Sequence, residues 1–366
     1  MKGDFRKEKE KQLFMALCKF KDRFYDASLL EYATPAVLGY LFFNRMHGVA
    51  YSVLKSNRLL DRVNREFRGS LSAAFYQNTR KNESFRKCIS TLSDTLVGCG
   101  CQVAMLKGAY LCFHYPNGMR TSIDVDLLVL PNDVTAIGKL LNKSGFVQGY
   151  IRNDDFIPAT RREIIESKMM RGETVPYVKK VNLPFMKYFE VDINFSLGYK
   201  PEDNSAVASM LSHACFKYEG DLSLPSLGDL DFFIHLCAHL YKEATTLPWI
   251  EMHRDMSLYK YCDIYLLLAE MSDKQTKETF ARAAELGMDK VCSYAVLETA
   301  ELFGMKNCLA HDISREILKN DPGFRLRVTS PNDKKTLIYK TADACERFFS
   351  EPRKNDLTEE CTNEKT

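Results

Sequence analysis

The chain has 366 residues, 45% of them hydrophobic and 27% charged, which supplies core for two or three domains and excludes an intrinsically disordered polypeptide. No apolar run reaches the length of a membrane span, and the Lys-rich start leads into no signal-peptide core, so a cytoplasmic protein is expected. The net charge is only +3, but residues 1–100 hold 18 Lys and Arg against 10 Asp and Glu, which makes the first hundred residues basic and the remainder slightly acidic. The 12 cysteines lack paired CxxC spacings, and Cys99 and Cys101 have no second pair to complete a zinc site, so reduced thiols are expected.

In chain order, residues 9–30 carry Leu13, Phe14, Leu17, Phe20 and Phe24 at helical spacing. Thr34-Pro35 reads as an N-cap followed by a first-turn proline, opening a helix to about His47. Residues 55–77 predict an amphipathic helix, with Leu60, Val63, Phe67, Leu71 and Ala74 on one stripe. Lys55, Arg58, Arg62 and Arg65 fall on the opposite face, either a solvated helix back or a surface for phosphates or RNA. A further helix over 83–97 ends at Gly98 and Gly100.

After Gly100 the pattern changes. It predicts strands at 102–106 and 123–130, a short helix at 108–114, and a helix at 134–143 behind an Asp133 cap. Residues 146–151 are expected as a strand, 159–171 as a helix, and 174–183 and 187–195 as two strands separated by Pro184. Helices return from about Ala206. One opens at a Ser226–Asp229 capping box and runs through Ala244, and others cover roughly 255–270, 274–287 and 290–304. The expected organisation is α+β: a helical module at 1–98, a small mixed sheet core at 99–200, a helical module at 201–350 and a disordered tail at 351–366.

The chemistry concentrates in Met105 to Leu130. Side chains alternate along a strand, so Asp124 and Asp126 share one face of an otherwise apolar strand. Carboxylates so placed repel unless a cation lies between them, and Mg²⁺ is the usual solution. Glu190, Asp192 and Asn194 likewise share one face of a later strand. If the two strands are neighbours, three carboxylates converge. His235 and His239 stand at i, i+4 on a helix, a spacing that can bind zinc, but without a third ligand a structural role is favoured. Trp249 and the Tyr-rich 258–265 segment read as helix packing.

The order of apolar strand, Lys107-Gly108, turn at Pro116-Asn117-Gly118, Arg120, Ser122, Asp124-Val125-Asp126 and a downstream Val191-Asp192-Ile193-Asn194 resembles the polymerase-β-like nucleotidyltransferase superfamily. More closely, residues 100–270 resemble a bacterial family of uncharacterised nucleotidyltransferases. The resemblance implies a nucleotidyltransferase-type sheet and a catalytic, metal-ligating set of Asp124, Asp126 and Asp192, with Mg²⁺ or Mn²⁺ as cofactor. Asp192 fits the family position better than Glu190. Lys107, Gly108, Arg120 and Ser122 would bind the nucleotide. Where the wider superfamily carries Ser or Gly after the motif glycine, this chain has Ala109, so a hydroxyl contact is missing there and Lys107 or Ser122 would compensate.

The implied activity is transfer of an NMP from an NTP to a hydroxyl on RNA, protein or a small molecule, with release of pyrophosphate. Two other readings stay open. One is a non-catalytic protein of the same fold that binds nucleotide or a partner. The other is a nucleotide-sugar glycosyltransferase using Asp124-Val125-Asp126 as its metal motif, which would release a nucleoside diphosphate.

Overall fold

The computed structural model describes residues 2–201, 204–305 and 308–360. The chain forms two compact units, Met1–Phe232 and Phe233–Thr366.

In the first unit, helices α1 (Lys2–Cys18), α2 (Pro35–Phe43), α3 (His47–Ser56) and α4 (Arg65–Leu96) precede the sheet. Thr34 caps α2 as its spacing predicts, its hydroxyl accepting from the Val37 N–H at 3.4 Å. The helix expected over 55–77 is broken. α3 stops at Ser56, Arg58 takes φ +58°, and Leu60–Arg62 forms a 3₁₀ turn. Asn64 then restarts the chain as the N-cap of α4, accepting from the Phe67 N–H at 2.9 Å. Lys55, Arg58, Arg62 and Arg65 therefore sit on different local elements and form no single basic stripe.

Beyond Arg65 the two expected helices are one. Phe67, Leu71, Asn78, Asn82, Phe85, Ile89, Leu92 and Leu96 all lie on its buried side. Two of them are asparagines, and these interrupt the apolar stripe in the sequence.

The strands are β1 (Val103–Met105), β2 (Asp124–Val129), β3 (Val147–Arg152), β4 (Asp155–Pro158), β5 (Tyr177–Leu183), β6 (Met186–Asn194), β7 (Cys215–Glu219) and β8 (Leu222–Ser226). Helices α5 (Gly108–His114), α6 (Val134–Lys143), α7 (Arg161–Met170) and α8 (Ser205–Ser212) connect them. Among the described residues they form one mixed sheet in the order β4-β3-β5-β6-β2-β1-β8-β7. β2 runs parallel to β6 and antiparallel to β1. The fold is α+β, as expected, but the sheet continues past residue 200. The β7–β8 hairpin, with Gly220 at φ +62° in its Gly220-Asp221 turn, lies where the apolar pattern predicts helices.

Alternation sorts the two faces of the central strands. Val125, Leu127 and Val129 of β2, Val191 and Ile193 of β6, and Val103 and Met105 of β1 join Phe85, Ile89, Leu92 and Leu96 of α4 and Ile137 and Leu141 of α6 in one core. Truncating any of its fully buried aliphatics to Ala is expected to cost about 2–5 kcal/mol. The other face carries the acids.

The second unit contains most of α9 (Asp229–Ala244), then α10 (Leu247–Glu251), α11 (Leu258–Glu270), α12 (Asp273–Glu285), α13 (Asp289–Phe303), α14 (Leu309–Leu318) and α15 (Ala344–Phe349). A small antiparallel sheet joins β9 (Arg327–Ser330), β10 (Lys335–Tyr339) and β11 (Leu357–Glu359) in the order β11-β10-β9. The tail expected to be disordered from 351 is thus structured to Glu359, and only residues 361–366 of it lie outside the described residues.

The reason is electrostatic as well as backbone pairing. Arg353 donates to both oxygens of buried Asp255, at 2.6 and 2.9 Å. Fully buried Glu298 on α13 takes the guanidinium of buried Arg347 and, at 2.8 Å, Arg325 Nε. These pairs seat the polar segment on the helices. No helix among the described residues is long and apolar enough to cross a membrane.

Two expectations follow. His47 stacks on Phe42 with ring centroids 4.8 Å apart, and burial, aided by the Arg45 charge, holds its pKa down to about 4. The unfolded chain then takes up a proton below about 6.5 that the folded chain refuses, so stability falls as pH drops toward 4. Between pH 7 and 5 this contribution is about 2 kcal/mol. Urea midpoints should show that His47→Gln removes that part of the acid sensitivity. Separately, Glu298→Ala strands Arg347 in the interior and should destabilise the second unit by about 3–5 kcal/mol. Glu298→Leu with Arg347→Met should recover much of the loss in the same denaturation assay.

Candidate functional site

The register of β2 against β6 decides the site. The Cα partners are Asp124 with Glu190, Asp126 with Asp192, and Leu128 with Asn194. Opposed residues of parallel neighbours share a face, so four carboxylates form a two-by-two array on the sheet. Asp126 is buried, whereas Asp124, Glu190 and Asp192 are half-buried and reachable by solvent. The expected convergence of Asp124, Asp126 and Asp192 on one face is present, and Glu190 belongs to the same array.

Burial, and crowding after it, show in their proton affinities. Burial, and then the Asp126 charge, raises Asp124, opposed by Lys107 and Arg45. Asp192 is pushed well above the carboxylate range by burial and by Asp126, Asp124 and Glu173. Glu190 is raised by burial and Asp124, with Lys81 opposing. Lys81 of α4 is itself lowered, by burial and by Arg45.

Two donors address Asp126 from different elements. Lys107 Nζ donates to its Oδ1 at 2.8 Å, and Asn194 Nδ2 donates to the same oxygen at 3.1 Å. Lys107 itself is held at φ +46°, ψ −114°, immediately before α5. An L-residue rarely adopts this conformation, and it costs on the order of 1–3 kcal/mol.

Gly108, Arg120 and Ser122 also meet. Arg120 Nη1 donates to Ser122 Oγ at 2.5 Å, and both side chains are buried. A Cβ at Gly108 would stand 3.0 Å from Ser122 Oγ and 3.2 Å from Arg120 Nη1. The glycine thus sits under a close approach of two side chains, which a Cβ would push back by a few tenths of an ångström. Ala109 faces the core cluster and has no part in this group.

The loop that delivers Arg120 is strapped to α4. Asn78 Nδ2 donates to the Gly118 and Arg120 carbonyls at 2.9 and 3.1 Å, and Asn82 Nδ2 donates to the Arg120 carbonyl at 3.1 Å. From the other side, Gly48 of α3 lies against the Gly118 and Met119 carbonyls. Sequence reasoning had no role for Asn78, Asn82 or Lys81. Polar residues on an otherwise apolar helical stripe were the available signal.

Among the described residues, no three His, Cys, Asp or Glu side chains already form a group able to hold a metal ion. The donor chemistry of the array nonetheless suits a hard divalent cation. It is all oxygen, doubly opposed and mutually repelling. In the second unit, His239 Nε2 lies 3.3 Å from Glu243 Oε1, and Glu243 also pairs with Lys260. Glu243 and Lys260 are thereby committed to each other, and His235 is buried on the same helix.

With this geometry in place, comparison with known protein families finds a match. The model of a family described as "Uncharacterised nucleotidyltransferase" covers residues 34–304. No curated protein matches the chain.

The loop clamp has a direct test. A Cβ on Gly48 would stand 2.3 Å from the Gly118 carbonyl oxygen and 2.5 Å from that of Met119, both backbone atoms. Gly48→Ala should cost about 1–3 kcal/mol and should speed amide hydrogen exchange from Gly118 to Ser122, with the β1–β2 amides unchanged.

Proposed function

The chain belongs to the uncharacterised nucleotidyltransferase family, and from that premise we propose that it transfers an NMP from an NTP to a hydroxyl-bearing acceptor, with a divalent cation, Mg²⁺ or Mn²⁺, as cofactor. One observation carries the reading: Asp126 stands opposite Asp192 in register on parallel neighbours, with the Lys107 ammonium 2.8 Å from Asp126 Oδ1.

Asp124, Asp126 and Asp192 are the residues that would hold the cation. When bound, it supplies positive charge to the attacking and leaving oxygens of an in-line displacement. The protein's own groups divide the remaining work. Lys107 and Arg120 bring positive charge to the triphosphate. Gly108, lacking a side chain, lets Arg120 and Ser122 lie against the start of α5, where Ser122 offers a hydroxyl beside the guanidinium. Asp192, opposite Asp126 on the same face, is assigned as the group that receives the acceptor's proton. Attack at the α-phosphorus forms the new P–O bond, breaks the α–β bridge and releases pyrophosphate, so no covalent intermediate on the protein is required.

The experiment incubates the full chain with Mg²⁺ or Mn²⁺ and each α-³²P-labelled NTP, with cellular RNA, total protein or small-molecule extract as acceptor. Label should move to one pool and pyrophosphate should appear. Asp126→Asn and Asp192→Asn should each lower the rate on the order of 10²-fold or more. Nucleotide binding with no label transferred to any pool would instead favour a non-catalytic nucleotide-binding protein. Release of a nucleoside diphosphate would favour a glycosyltransferase.

A further inference from the structure

The acid array already contains a cation, and it is part of the chain. Lys107 Nζ lies 2.8 Å from Asp126 Oδ1, with both side chains largely shielded from solvent. A divalent ion bound by Asp126 would have to share or displace this contact, because an ammonium and a metal ion at one carboxylate oxygen repel each other. The backbone supports a purpose for the lysine. At φ +46° and ψ −114°, position 107 suits glycine, yet a long cationic side chain is kept there. Asn194 completes the arrangement. Its amide, buried and carried on β6, donates to the same Asp126 oxygen at 3.1 Å and carries no charge to be displaced.

We propose that Lys107 is a resident placeholder for the divalent cation. In the metal-free protein its ammonium neutralises Asp126. Arrival of the metal at that carboxylate displaces it, and the released side chain is then available to an anionic substrate group. Asn194 is a positioning residue that keeps the Asp126 carboxylate oriented while the cation is exchanged. The inference rests on the proposed metal dependence, but it makes a claim that nucleotidyl transfer alone does not: this lysine opposes metal binding when no nucleotide is present. A residue that served only to bind phosphate at a distance from the metal would leave the affinity for the metal alone unchanged.

The test is binding of Mn²⁺ alone to the full chain, without nucleotide or acceptor, followed by the electron paramagnetic resonance signal of free Mn²⁺. Lys107→Met should bind Mn²⁺ about tenfold more tightly than the wild type, since one competing charge is removed. Lys107→Gly should do the same while also relieving the backbone strain, so it serves if the Met variant folds poorly. Lys107→Arg retains the charge and should stay within about twofold of the wild type. Asp126→Asn should abolish the binding that Lys107→Met strengthens.

Equal or weaker Mn²⁺ binding in both Lys107→Met and Lys107→Gly, with binding still lost in Asp126→Asn, would overturn the placeholder and leave the metal-dependent reading standing. Absence of Mn²⁺ binding in every variant at millimolar concentration would overturn both. The readout involves no turnover, so an unidentified acceptor does not affect it.

Discussion

Like-charge repulsion on a single sheet face is the constraint around which the first unit is arranged. Parallel pairing of β2 with β6 brings Asp124, Asp126, Glu190 and Asp192 to adjacent positions of one face. At the separations of neighbouring strands, and partly buried, such a set is unfavourable in its fully ionised form. The rest of the site reads as compensation. Lys107 and Asn194 meet Asp126 directly, while Arg45 and Lys81 act on Asp124 and Glu190 through their fields. The opposite face of the same strands is saturated with aliphatic side chains, so the strands cannot flip to relieve the repulsion without burying the charges in the core. Hydrophobic packing on one side therefore holds the electrostatic strain in place on the other.

α4 connects these two sides. Its C-terminal half, Phe85 to Leu96, packs under the sheet, and its middle turns supply Asn78 and Asn82 to the loop that carries Arg120. A loop that turns a buried guanidinium onto Ser122 leaves its own carbonyls without regular backbone bonds, and buried carbonyls need donors. Side-chain amides provide them without adding charge to an already charged site. The second unit solves a comparable problem with ions. Asp255 and Glu298 each receive a buried guanidinium from the polar C-terminal segment, so that a stretch poor in apolar residues is fixed by geometry-specific pairs rather than by area.

Much of the site was legible because strand alternation is strict. Asp124-Val125-Asp126 and Glu190-Val191-Asp192 declare both their strand character and their shared face, and the α+β class follows from the change of periodicity at Gly100. What alternation cannot supply is the identity of the neighbouring strand, and only pairing in space opposes Asp126 to Asp192. Lys107 was legible as a charge near the motif, but its contact with Asp126 depends on a left-handed backbone that no propensity favours. The departures from the expected elements have equally local causes. Asn78 and Asn82 interrupt a stripe that is buried throughout, which divided one helix into two. Arg58 in a left-handed turn ended a helix that the apolar spacing extended. The strands β9, β10 and β11 are short, and their few apolar residues, Val328, Leu337, Tyr339 and Leu357, gain meaning only when they meet Ile250 in space.

The dual duty of α4 also bears on how this protein can change over generations. Successive residues of an α-helix are rotated by about 100°. Loss or gain of one residue between Asn82 and Phe85 would turn every later side chain off the sheet while leaving the loop donors where they are, and the same event between Phe67 and Asn78 would turn the donors away. Substitutions can be absorbed one side chain at a time, but length changes in this helix cannot. Variation in length among descendants of this chain should accumulate in the connections, such as the Asn153-Asp154 turn between β3 and β4, where both residues already sit at positive φ and touch neither the core cluster nor the acid array.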